Sequence, residues 1–203
     1  MMIVIGLTGG IGMGKSAAAS ILERRGLPVI DTDELARELV EPGQPALEEI
    51  RVAFGDSIIE PGGHLRRDEL AKIVFADASK REQLEAILHP RIRERWMREV
   101  DRLREQGREA AVVVIPLLFE TGAQSSFTNI ICTACSETTQ RSRLEARGWS
   151  AQAISQRMQS QLPINEKMTR SHFVVWTEAS LEVHEQQLER IRQTLSLKAN
   201  RDG

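Results

Sequence analysis

At 203 residues, with 41% hydrophobic and 28% charged residues, the chain has the size and composition of one α/β domain with insertions, large enough to bury a core. A formal net charge of −2 supplies no basic footprint for nucleic acid, and no apolar run approaches the roughly 18 residues of a membrane span. The first strand leaves no room for a cleavable signal peptide, so a cytoplasmic protein is expected.

Ile3, Val4, Ile5 and Leu7 form a short apolar run that reads as a buried strand, and Ala17 to Arg25 reads as a helix stopped by Gly26. Between them, Gly9-Gly10-Ile11-Gly12-Met13-Gly14-Lys15-Ser16 satisfies the G-x-x-x-x-G-K-[ST] pattern. Glycines let successive backbone N–H groups turn inward around an anion, and the helix N-terminus adds donors and partial positive charge. Lys15 is suited to the outer phosphates of a nucleotide and the Ser16 hydroxyl to Mg²⁺.

Pro28-Val29-Ile30 reads as a second strand, ending in Asp31-Thr32-Asp33. Ligands of open parallel sheets bind at the carboxyl ends of strands, where the phosphate loop and these acids both belong. Two roles stand side by side. Thr32 or Asp33 caps the helix that follows, and Asp33 accepts the proton of an attacking hydroxyl.

Residues 41 to 79 read as an insertion with a helix over Ala46 to Phe54, a turn at Pro61-Gly62-Gly63 and a helix over Leu70 to Phe75. From Lys80, Leu84, Ile87, Leu88, Ile92, Trp96, Val100 and Leu103 recur at helical spacing, with His89-Pro90 interrupting. The alternating arginines and acids of this helix read as a solvated face. His89 either contacts substrate or is an ordinary packed histidine, and Arg66-Arg67 meets either a phosphate or water.

Ala110 to Ile115 reads as a buried parallel strand. Pro116 stands where a Walker B acid would close it, and Glu120 comes several residues later, which disfavours motor ATPases and recombinases. No N-K-x-D guanine signature occurs. Cys132 and Cys135, the only cysteines, lie along a strand leading into a loop, with no second pair to complete a zinc site. Downstream, Arg143 and Arg147 share one helix face as either a lid over ATP or a solvated surface. A helix from Ala151 to Leu162, a strand at Phe173 to Trp176 and a helix from Glu178 to Leu197 complete the pattern, with a frayed tail from Lys198.

These stretches together resemble the dephospho-CoA kinase family along nearly the whole chain. The matching residues are Leu7 to Gly12 with Gly14-Lys15-Ser16, Val29 to Asp33, Val40 to Gly43, Leu88-His89-Pro90, Pro116 to Glu120, and Gln140, Arg143, Arg147 and Gln161. The resemblance implies a P-loop kinase fold: a three-layer α/β sandwich on a five-stranded parallel sheet. Its core would be 1–33, 107–135 and 171–203, its helical substrate-binding insertion 34–106 and its lid 136–170. It implies ATP and Mg²⁺, with phosphoryl transfer to the ribose 3′-hydroxyl of dephospho-CoA.

By resemblance, Gly9 to Ala17 and Arg147 serve ATP, and Lys15, Arg143 and Asp33 serve catalysis. Asp33, His89, Pro116 and Leu117 serve the acceptor. No nucleic-acid or membrane partner is implied, and a monomer or weak homo-oligomer is expected. Another small hydroxyl acceptor, or a regulatory module that binds ATP without turnover, are the competing readings. Met13, Ala17, Ser171-His172 and Trp176-Thr177 depart from the usual family pattern, and Met13 is expected to point away from the phosphates.

Overall fold

The computed structural model describes residues 2–197, so the expected frayed tail from Lys198 lies outside the described residues. The chain divides into two compact units: Asp31–Asp101, and the segments up to Ile30 and from Arg102 onward.

In the larger unit, apolar and β-branched runs become the strands β1 (Ile3–Gly9), β2 (Val29–Asp31), β3 (Ala110–Val114), β4 (Asn129–Ala134) and β5 (Phe173–Trp176). They form one parallel sheet in the order β2-β3-β1-β4-β5. β1 is central, in register with β3 from Ile3↔Ala110 and with β4 from Ile5↔Asn129. Its residues Val4 to Gly9 are buried, as a strand covered on both faces requires. Helices α1 (Lys15–Arg24) and α9 (Leu181–Thr194) bury Ala18, Ile21, Leu22, Leu188 and Ile191 with Ile5, Leu7, Val112, Val114 and Ile131 of the sheet. α6 (Glu137–Glu145), α7 (Ala151–Gln159) and α8 (Ile164–Thr169) lie between β4 and β5, and α8 packs against β4 and β1.

Serine caps start three of these helices. Ser136, Ser150 and Ser180 accept from the backbone N–H groups of Thr139, Ala153 and Val183. The expected helix Ala151 to Leu162 stops three residues early, and α8 begins after Pro163. α8 spans only six residues, too short for periodicity to reveal.

The smaller unit is helical: α2 (Thr32–Glu38), α3 (Pro45–Phe54), α4 (Arg67–Ala76) and much of α5 (Ala78–Glu105). Val40, Leu47, Ile50, Ile58, Leu70 and Val74 form its own apolar core. His89-Pro90 does not interrupt α5, correcting the sequence expectation; Pro90 sits inside one continuous helix. Proline removes one N–H and crowds the preceding turn. Here the Arg91 guanidinium donates to the Ile87 carbonyl in that turn. The charged face of α5 is tied down as well as solvated: Arg91 pairs with Glu49, Arg95 with Glu38 and Arg98 with Glu94.

Candidate active site

β1 delivers the chain to Gly9, whose φ of 146° and whose closeness to β4 both exclude a side chain. A Cβ there would lie 2.4 Å from the Thr133 carbonyl oxygen. The loop then folds back to Gly14, in left-handed conformation at φ 87°, which stands at the N-cap of α1 and offers no side chain to its N–H groups. The donors of a first helical turn are thereby left for another acceptor.

What orients the loop is the set of bonds to its carbonyl groups. Lys15 Nζ donates to the carbonyl oxygens of Gly9 and Gly10, each at 2.9 Å. Gln140 Nε2 donates to Ile11 O at 2.7 Å, Arg143 Nη1 reaches Gly12 O at 3.5 Å, and Thr177 Oγ1 donates to Met13 O at 3.3 Å. In a trans peptide the C=O of one residue and the N–H of the next point in opposite directions. Tying down the carbonyls of Ile11 and Met13 therefore turns the N–H groups of Gly12 and Gly14 the other way. Ile11 N and Met13 N are taken up by Gln161 Oε1 and Gly10 O, and the N–H groups of Gly12 and Gly14 are the ones turned away from the tied carbonyls, as backbone donors to a phosphate are.

Met13 does not point into solvent. Its side chain is buried beneath the loop, with its sulfur against Gly10, where a Cβ would come within 2.8 Å. A longer apolar residue is thus accommodated because this position contributes backbone, and the side chain fills space below it. Ser16 is exposed in the first turn of α1, Ala17 follows it half-buried, and Lys15 opens the helix.

Arg143 and Arg147 do not share one fate. Arg143 is half-buried and donates to Thr177 Oγ1 at 2.9 Å and to the Thr177 carbonyl. α6 ends at Glu145 with Ala146 as its C-cap, so Arg147 lies past the helix, exposed. Gly148 at φ 82° marks the turn. Sequence periodicity continued the helix through Arg147 because arginine itself is a good helix former.

Thr177 carries weight that its place in the sequence did not suggest. It is buried, accepts from Arg143, donates to Met13 O and packs within 3.2 Å of where a Gly14 Cβ would be. Nearby, His184 is buried; burial first, then the positive charge of Arg143, holds its pKa below the ordinary value.

On the β3 side, Pro116 O accepts from Thr8 Oγ1 at 3.3 Å and from Lys167 Nζ at 2.9 Å, while Leu117 O accepts from Thr121 Oγ1 at 2.8 Å. Lys167 is fully buried and pairs with Glu120 at 2.8 Å. Glu120, the acid nearest in sequence to the missing Walker B position, is thus held as the counter-ion of a buried lysine. Cys132 and Cys135 are free and buried, and burial pushes the Cys132 thiol up to about 11. Among the described residues no cluster of His, Cys, Asp and Glu is suited to hold a metal ion.

In the smaller unit, the N-cap of α2 is Asp31, correcting the expectation of Thr32 or Asp33. Its carboxylate accepts from Asp33 N at 2.8 Å. The Asp33 side chain is exposed in the first turn and does not serve as that cap. His89 is half-buried within α5. Arg67 faces Glu41 at 3.7 Å and donates to Arg37 O at 3.4 Å, an exposed pairing.

Known proteins point the same way as the geometry. The family described as CoaE: Dephospho-CoA kinase matches residues 3–182. A dephospho-CoA kinase from Anaeromyxobacter dehalogenans is 45% identical over 175 residues, covering 86% of this chain and 83% of that protein. The crystal structure of a Thermus thermophilus protein superposes with a TM-score of 0.82 at 34% identity, over 96% of this chain and 98% of the other. A dephospho-CoA kinase from Campylobacter jejuni superposes with a TM-score of 0.72 at 25% identity, over 97% and 98%. With a phosphate loop on the central strand and a family match along nearly its whole length, the chain belongs to the dephospho-CoA kinase family.

Proposed function

We propose that the protein transfers the γ-phosphoryl group of ATP to the ribose 3′-hydroxyl of dephospho-CoA, yielding ADP and coenzyme A. The observation that carries this is the phosphate loop with its Ile11 and Met13 carbonyls tied outward, in a chain that matches dephospho-CoA kinases over most of its length.

Phosphoryl transfer leaves little covalent chemistry to the protein, so positioning and charge stabilisation dominate. Loop N–H groups and the first turn of α1 hold the phosphates. Lys15 moves from the carbonyls of Gly9 and Gly10 to the outer phosphate oxygens, exchanging neutral acceptors for anionic ones. Arg143, already at the Gly12 carbonyl, supplies positive charge where the transferring group spreads its own. Arg147 sits on the exposed turn beyond α6 and covers the nucleotide from outside.

The Ser16 hydroxyl, exposed at the start of α1, is the protein oxygen that would hold Mg²⁺ delivered with ATP, and the ion would offset phosphate charge there. Asp33 accepts the proton of the 3′-hydroxyl as the oxygen bonds to the γ-phosphorus and the bond to the β-phosphate oxygen breaks. Two facts support Asp33: it follows a strand end of the parallel sheet, and Asp31 has taken over the capping task. His89, Pro116 and Leu117 serve the acceptor in the same reading. Among the described residues no helix is long and apolar enough to cross a membrane. Action in the cytoplasm as a monomer or weak homo-oligomer belongs to this proposal.

The test is incubation with ATP, Mg²⁺ and dephospho-CoA while coenzyme A formation is followed. Stoichiometric coenzyme A and ADP are expected. ADP formed only with a different hydroxyl acceptor would overturn the acceptor assignment, and ATP bound without turnover would make the protein a regulatory module.

A further inference from the structure

Gln161 and Leu162 lie in the short link between α7 and α8; the Gln161 N–H stays on Met158 O of α7 at 3.2 Å, but its side chain and the Leu162 N–H are bonded elsewhere. Gln161 Oε1 accepts from Ile11 N at 3.0 Å, across to the phosphate loop. The next residue, Leu162, donates its N–H to Glu120 Oε1 at 2.9 Å. That same oxygen is 2.8 Å from Lys167 Nζ, an ammonium group that is fully buried and also donates to Pro116 O at 2.9 Å. Arg170 lies over the Phe119 ring at 4.5 Å, fastening α8 to the same turn.

These bonds form a chain that ends on the phosphate loop. A glutamine side chain loses much rotamer freedom in holding one acceptor in place, so a fixed backbone beneath it matters. Met158 O holds the Gln161 N–H on the α7 side, and Glu120 completes the anchor by holding the adjacent Leu162 amide on the other. Gln161 then sets the Gly10–Ile11 peptide plane. Because C=O and N–H oppose each other across a trans peptide, an Ile11 N–H aimed at Gln161 aims Gly10 O the other way. Gly10 O is where Lys15 Nζ is held, at 2.9 Å. On the far side of Ile11, Gln140 holds the carbonyl at 2.7 Å, so both peptides flanking this residue are fixed.

We propose that Glu120 is a positioning residue for the phosphate loop: its carboxylate, held by buried Lys167, fixes the Leu162 amide so that Gln161, together with Gln140, locks the two peptides flanking Ile11 and with them the direction of the Gly12 N–H. Glu120 thereby acts on nucleotide binding without touching nucleotide or metal. The inference deepens the kinase reading, but its primary readout is ATP affinity, which needs no acceptor.

The experiment is a double-mutant cycle on the full chain, read as the dissociation constant of Mg-ATP by calorimetry. Gln161→Met keeps the length and removes the acceptor; it is expected to weaken ATP about five- to tenfold, the loss of one ordinary hydrogen bond. Glu120→Ala is expected to weaken ATP by a similar factor, and the double variant no more than Gln161→Met alone. Independent effects that multiply in the double variant would overturn the proposal, as would wild-type affinity in Gln161→Met. Removing Glu120 alone strands a buried ammonium and threatens the fold. Glu120→Leu with Lys167→Met replaces the pair by apolar groups, and must show the same loss of affinity with thermal stability retained. Tight ATP binding with no coenzyme A formed would defeat the kinase reading and leave this inference standing.

Discussion

Thr177→Val removes one hydroxyl while preserving the shape of the side chain that packs against Gly14. Two bonds go with it: the one accepted from Arg143 at 2.9 Å and the one donated to Met13 O at 3.3 Å. A bond to a charged partner contributes roughly 1.5–3 kcal/mol and a neutral one roughly 0.5–1.5 kcal/mol. Arg143 keeps the Thr177 carbonyl, which shares the guanidinium and limits the loss. A destabilisation of about 2 kcal/mol follows, or about 4–8 °C in Tm for a domain of this size. The second effect is local. With Met13 O released, the Gly14 N–H is no longer held toward the concavity, and ATP affinity falls about five- to tenfold, comparable to one bond. Thermal melts with calorimetric titration of ATP measure both. A variant that loses stability but binds ATP like wild type would refute the argument that tied carbonyls orient the loop.

Further outcomes are expected at other positions. Asp33→Asn should lower turnover by about 10² to 10⁴, the range for a general base, while ATP affinity stays within a few-fold of wild type; near-wild-type turnover in a steady-state assay would remove Asp33 from proton transfer. Gly9→Ala would place a Cβ 2.4 Å from Thr133 O at a φ of 146°, so it should destabilise the sheet end by more than the roughly 1 kcal/mol of a typical substitution, and an unchanged denaturation midpoint would contradict that geometry. Stability should fall with acid in two stages. His184, whose pKa is lowered by burial and then by Arg143, contributes stability that is fully present above its unfolded value near 6.5 and is lost as pH falls through the lower folded value. Its Nε2 has no hydrogen-bond partner among the described residues, so a proton there would bury an unpaired donor. Glu178, held at about 2 by bonds from Ser136, Thr139 and Trp176, gives stability present above 4.5 and lost as pH falls toward 2. Melting temperatures across pH 7.5 to 3 should therefore drop, and His184→Gln should flatten the first stage; a Tm that rises on acidification would reverse the sign.

What the sequence made legible depends on how locally each feature is encoded. The loop from Gly9 to Ser16 declares itself because its backbone angles and close approaches admit glycine at Gly9 and Gly14, and because the apolar run of β1 must precede it. Strand β5 is equally local, since Phe173 to Trp176 is an apolar run flanked by polar residues. Thr177 was not legible. Its partner Met13 lies 164 residues away, and a lone threonine after a strand carries no signal of that bond. Lys167 is a similar case, because lysine is among the residues least often fully buried, and only the fold brings Pro116 O and Glu120 to its ammonium. The choice among Asp31, Thr32 and Asp33 for the cap turns on a single residue of helix boundary, a resolution that propensity does not reach.

The two cysteines give the protein an internal timer. Cys132 is sealed in β4, in register with Thr8 of the central strand, while Cys135 lies just beyond the end of the same strand, beside the start of α6. Neither thiol ionises readily in the folded chain, so a thiol reagent must wait for the structure to open. Labelling at Cys135 alone would record fraying of the strand end, and labelling at Cys132 would record parting of the strands that carry the phosphate loop. Because Thr8 is one residue from Gly9, a nucleotide gripped by that loop would slow the second clock more than the first.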